Sequence, residues 1–255
     1  MSGPTRYRAT LAYVGTHFHG WQRQKNAPRT VQAVLETVLA RLDGAPVTAQ
    51  AAGRTDAGVH ADGQVCHFDL SDGMEAARLL DAVNALLPGD LRVLEVRAAA
   101  ADFHARRDAV WKEYLYRWSR ARVLAPRDFP FVAPLSARAD TARMLAAARE
   151  IAGERDFRVF GVRLSGAESS VRRVHFVRIE EAGEEVRALF RGDAFLRGMV
   201  RSICGVLADV ARGKAPADRV AELLATQDRK LLSPKAPARG LTLRRVHYAP
   251  EGAEE

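Results

Sequence analysis

Cysteine is nearly absent: Cys66 and Cys204 are the only two in 255 residues, and neither belongs to a CxxC pair or a Cys/His run with metal-ligand spacing. A disulfide framework and a structural zinc site are therefore both excluded as organising principles, and the two thiols read as core residues. No apolar run approaches the length that crosses a bilayer, and the first residues carry Arg6 and Arg8 in place of a signal segment. A soluble, intracellular protein is expected. Negative charge is missing from the first thirty residues, where Arg6, Arg8, Arg23, Lys25 and Arg29 stand without one Asp or Glu. The whole chain carries 39 basic against 31 acidic residues, a formal charge of +8. Such an excess favours an acidic partner, although charge alone speaks to solubility and weak polyanion attraction and not to fold. Nor is there a P-loop, because no Gly-Lys-Ser/Thr ending opens a helix anywhere.

What is present is ample core material: 47% hydrophobic and 27% charged residues place the chain among globular proteins and exclude disorder. Residues 5–14 read as a strand, followed by the loop GTHFHGWQRQKNAP. Val31, Val34, Leu35, Val38, Leu39 and Leu42 recur at helical spacing behind Thr30 as N-cap, and Gly44 stops the run. Strands fit 46–52 and 64–70, a helix 74–87 and a strand 91–97, giving the order β-α-β-β-α-β. A second such series follows, with a strand at 109–119, a helix at 140–152, strands at 171–181 and 185–192, helices at 194–212 and 216–226, and a strand at 241–248. The pattern predicts an α+β protein of two ferredoxin-like halves, residues 1–104 and 105–255, forming one mixed or antiparallel sheet with helices on one face and a cleft on the other. The Ala/Glu tail at 250–255 is expected to fray.

Three stretches could carry chemistry. The loop Gly53-Arg54-Thr55-Asp56-Ala57-Gly58-Val59-His60 packs two glycines, a guanidinium, a carboxylate and an imidazole between two strands. Its plain reading is a turn, with Asp56 bonding the local backbone and Gly58 supplying a positive φ. A metal site from Asp56, His60 and His67 has no supporting spacing. In residues 110–118, Val110, Lys112, Tyr114, Tyr116 and Trp118 face one way, either as an aromatic core face or with a tyrosine bordering a cleft where it could stack on a base. In the helix from 194, Phe195, Met199, Val200, Ile203, Val206, Leu207 and Val210 form a core stripe. Arg197 and Arg201 lie one turn apart on a face continued by Cys204, Gly205 and Ala208, small residues that allow another backbone to approach.

The segments GRTDAGVHA (53–61), HGWQRQ (19–24), LPGDLRV (87–93), DFHAR (102–106), FLRGMVRSICG (195–205) and GLTL (240–243) together resemble, in order, the motifs of the tRNA pseudouridine synthase A family. The resemblance spans nearly the whole chain. It implies the pseudouridine synthase fold and isomerisation of uridines 38, 39 and 40 in the tRNA anticodon arm, without cofactor or metal, by a cytoplasmic homodimer. By motif position it makes Asp56 the catalytic aspartate, Arg201 its partner, Tyr114 the aromatic against the target base, and Arg54 a residue that holds the flipped nucleotide. Asp193 departs from the family, which often has asparagine there, and residues 121–170 match only loosely. The chemistry suits the residues, since the isomerisation is redox neutral and needs an ionised, oriented carboxylate and a flipped base. A competing reading is a non-catalytic RNA-binding module of two RRM-like halves, but the RNP aromatic pattern is not found and Asp56 would have no role in it. A metal-dependent hydrolase is a third option.

Overall fold

Alternation in the first strand decides which of its sides is core. In β1 (Thr5–Tyr13) the side chains of Tyr7, Ala9, Leu11 and Tyr13 are buried, and those between them are half-exposed. The computed structural model describes residues 3–27, 29–162 and 169–249, so the tail at 250–255 lies outside the described residues. The chain divides into two units, residues 1–110 with 243–255, and residues 111–242.

In the first unit β1 pairs antiparallel with β3 (His60–Leu70) on one side and β4 (Leu91–Ala98) on the other. A two-residue β2 (Gln50–Ala51) lies antiparallel on β3, and the end of β10 (Leu241–Tyr248) is the neighbour of β3 in the strand order. The order β4-β1-β3-β2 is the one that β-α-β-β-α-β connectivity produces in a ferredoxin-like unit. Helix α1 (Val31–Asp43) starts as expected, Thr30 Oγ1 accepting from the Ala33 N–H at 3.2 Å, and ends at Gly44 in the left-handed region. Helix α2 (Ala76–Leu86) is capped by the Glu75 carboxylate, which accepts from the N–H groups of Ala77 and Arg78. The strand expected over 46–52 shrinks to β2. Ala49 bonds side chains of α1 instead of a strand: its N–H donates to Glu36 Oε1 at 3.0 Å and its carbonyl accepts from Gln32 Nε2 at 3.2 Å.

In the second unit the order is β5-β9-β8-β7, from β5 (Ala109–Ser119), β9 (Glu185–Gly192), β8 (Val171–Ala182) and β7 (Gly153–Asp156), all antiparallel. The short β6 (Ala133–Pro134) runs parallel to β5. The expected face of β5 is core, with Lys112, Tyr114, Tyr116 and Trp118 buried opposite Phe190, Ala188 and Val186 of β9. Val110, assigned to the same face, is instead exposed. Helices α3 (Thr141–Arg149), α4 (Met199–Ala211) and α5 (Arg219–Thr226) complete the unit. Helix α4 begins five residues later than its hydrophobic stripe suggested. Gly198 takes φ +75°, a conformation that cannot continue a right-handed helix, so Phe195 and Arg197 lie before α4 and not on it.

Candidate active site

The loop 53–60 is fastened by hydrogen bonds from the main chain of the segment after β1. Trp21 N–H donates to the Thr55 carbonyl at 3.1 Å, Gly58 N–H to the Phe18 carbonyl at 3.3 Å, and Gly15 N–H to His60 Nδ1 at 3.0 Å. The two backbones run so close that a Cβ on Gly20 would stand 2.6 Å from the Thr55 carbonyl oxygen, and Gly20 also holds φ +86°. Only glycine meets both conditions. Within the loop the Val59 N–H closes a turn on the Asp56 carbonyl at 3.2 Å, and Gly58 has the positive φ expected of it, +79°. Asp56 is half-buried and Arg54 exposed, so the Arg54 side chain is presented to solvent from a loop whose main chain is held in place.

A third segment joins this arrangement. Arg29 makes a two-pronged ion pair with Asp90 of the LPGD run, both contacts 2.9 Å, while its guanidinium lies 4.3 Å from the centre of the Phe18 ring. Val14 N–H donates to the Asp90 carbonyl at 3.0 Å. Gln32 and Glu36, polar yet buried on α1, tie in the GWQRQ run: Arg23 N–H donates to Gln32 Oε1 at 2.9 Å and Arg23 pairs with Glu36 at 3.0 Å. Periodicity read only the apolar stripe of α1 and passed over both residues.

Tyr114 and Arg201 belong to the second unit. Tyr114 is 8% exposed and meets Phe195 edge-on, ring centres 5.2 Å apart at 81°. The Arg201 Nε donates to the Ala236 carbonyl at 3.0 Å, and the Ala236 N–H returns a bond to the Arg201 carbonyl at 3.0 Å. The guanidinium is near enough to Tyr116 to pull that phenol's pKa down, against the stronger upward push of burial. The small face of α4 does admit another backbone, since a Cβ on Gly205 would stand 2.1 Å from the Pro234 carbonyl oxygen. The two imidazoles weighed as metal ligands already accept main-chain bonds through Nδ1, His60 from Gly15 and His67 from Ala105 at 3.1 Å. Among the described residues, no three His, Cys, Asp or Glu side chains gather as a metal site would need.

A family model described as tRNA pseudouridine synthase matches residues 9–108 and 147–249, covering both units and the loop that holds Asp56. The chain belongs to the tRNA pseudouridine synthase family. Proteins named tRNA pseudouridine synthase A are similar along nearly their whole length. That of Solidesulfovibrio magneticus is 45% identical over 253 residues, covering 97% of this chain and 92% of the other. That of Nitratidesulfovibrio vulgaris strain Hildenborough is 40% identical over 292 residues (96% and 97%), and that of Listeria welshimeri 40% identical over 247 (96% and 99%). Among solved structures, a chain of a Cbf5-Nop10-Gar1 complex aligns at 13% identity and a TM-score of 0.39, covering 96% of this chain and 50% of that one. In this member of the synthase family the departure at Asp193 has a local partner: His175 Nε2 bonds its carboxylate, and the Asp193 N–H donates to the Arg173 carbonyl at 3.1 Å.

Proposed function

We propose that the protein converts uridine to pseudouridine in tRNA, at positions 38 to 40 of the anticodon arm, as a cytoplasmic homodimer. The family match across both units carries this reading, and the stiff loop around Asp56 supports it. In the reaction the N1–C1′ bond of the uridine breaks, the base turns, and C5 joins C1′. The proton on C5 leaves to solvent and N1 ends protonated, so electrons balance without an oxidant. Asp56 is the carboxylate that acts on the detaching base or sugar. Arg201 is the partner that orients that carboxylate, Tyr114 offers its ring to the flipped base, and the exposed Arg54 helps hold the flipped nucleotide.

The test is tritium release from C5-labelled uridine in unmodified tRNA. Asp56→Asn keeps the size and much of the turn's hydrogen bonding, so the expected outcome is a folded protein that binds tRNA normally and releases no tritium. A folded, tRNA-binding Asp56→Asn protein that turns over at the wild-type rate would leave Asp56 a turn-former and nothing more.

A further inference from the structure

Directly behind the Asp56 loop, three polar side chains meet in the interior. Tyr13 closes β1, Gln64 lies within β3, and Thr55 immediately precedes Asp56; Tyr13 and Thr55 are buried and Gln64 is 0% exposed. Tyr13 Oη lies 2.9 Å from Thr55 Oγ1. Gln64 Nε2 donates to the Gly53 carbonyl at 2.8 Å and reaches Tyr13 Oη at 3.5 Å. With Trp21 holding the Thr55 carbonyl, the chain is gripped at Gly53 and Thr55, the positions flanking Arg54 on the approach to Asp56. Burial lifts the Tyr13 pKa to about 12, so the phenol stays protonated across any working pH.

For stability alone this is a costly arrangement. Gln64 Oε1 is buried and has no hydrogen-bond partner among the described residues, a penalty that an apolar side chain would avoid. Small errors in the placement of a reacting group are expensive in rate, and a rotamer fixed by interior hydrogen bonds prevents them. We infer that Tyr13 and Gln64 are positioning residues, which act through Thr55 and Gly53 to hold the Asp56 carboxylate at the reacting atoms. The inference rests on the reading of Asp56 as the catalytic carboxylate.

Tyr13→Phe removes one hydroxyl and keeps the ring, which packs edge-on to Phe18. Thr55→Val removes the other at constant shape, and Thr55→Ser puts it back. Single-turnover tritium release at saturating enzyme, the Kd for tRNA and the melting temperature are measured for each. Tyr13→Phe and Thr55→Val are expected to slow the single-turnover rate roughly 10- to 100-fold, with Kd within about twofold of wild type and Thr55→Ser recovering most of the rate. Wild-type rates in Tyr13→Phe and Thr55→Val would overturn the inference, as would a Thr55→Ser protein as slow as Thr55→Val or a rate loss matched by an equal loss of affinity. Should Tyr13→Phe fail to fold, the Thr55 pair decides alone. Asp56→Asn run in parallel separates the two ideas: inactive Asp56→Asn beside a wild-type Tyr13→Phe removes only the positioning role, whereas active Asp56→Asn removes the role of the carboxylate itself and the positioning role with it.

Discussion

The fold opposes protonation of His67. Its Nδ1 accepts the Ala105 N–H, its ring meets Phe103 edge-on at 6.2 Å, and the His104 ring is 4.8 Å away. Burial first, then the charges of His104 and Arg6, push its pKa down to about 4. An unfolded imidazole titrates near 6.5, so the unfolded chain takes up the proton first, and stability present above that pH is lost as pH falls towards 4. The limiting slope is about 1.4 kcal/mol per pH unit. The stability that Glu185 contributes, its carboxyl held down to about 2 mainly by Arg117, is lost from the usual glutamate range downward, so between 6.5 and 4.5 His67 contributes to the fall and Glu185 largely does not. His67→Asn, which keeps an acceptor for Ala105, should flatten the fall in melting temperature over that interval; an unchanged slope would clear His67 of the effect. At this scale the turn in the loop around Asp56 was legible in the sequence, with Gly58 at the positive φ expected of it. Tyr13 and Gln64 were not, because one belongs to an apolar alternation and the other is a single polar residue in a strand. Their importance lies in which atoms meet, and spacing does not encode that.

Among the elements, α4 joins the second unit's core to its candidate site residue. Eleven of its thirteen residues are buried, and the segment at Pro234–Ala236 is drawn onto its small face, where it bonds Arg201 at two atoms. Gly205→Ala would raise helix propensity by about 1 kcal/mol, yet the added methyl meets a main-chain oxygen that cannot turn aside. The clash should win, costing roughly 1–3 kcal/mol in urea unfolding, and it should disturb the Arg201 contact with Ala236 and lower turnover. A Gly205→Ala protein as stable and active as wild type would show that the segment yields freely. Periodicity located most elements well, β5 and β9 to the residue. It failed where something non-periodic intervenes: the left-handed Gly198 trims α4, and buried Gln32 and Glu36 take over the backbone that would have lengthened β2. The short β6 and β7 carry too few residues to register as a pattern.

For the molecule as a whole the formal charge of +8 sets the expected mode of RNA binding. Phosphate contacts release counterions, so tRNA affinity should fall by about a hundredfold between 50 and 200 mM salt if four phosphates are neutralised. A flat plot of log Kd against log salt would remove electrostatic docking. The α+β class and the order of elements were visible in the sequence, but connectivity does not say which unit receives a given strand. That matters most for β10. Residues 243–248 belong to the unit that begins at residue 1, with Tyr248 Oη donating to the Ala105 carbonyl at 2.6 Å and the Arg8 guanidinium 4.0 Å from the Tyr248 ring centre. A ribosome reads the gene in one direction. After residue 110 has emerged, more than a hundred further residues must be made before that strand arrives, several seconds or more at about 5–20 residues per second. Throughout that interval the nascent first unit has only the two-residue β2 on the side of β3 that β10 will join. Its completion therefore waits for residues 243–248, and a chain that stops short of residue 243 leaves unfinished the unit made first.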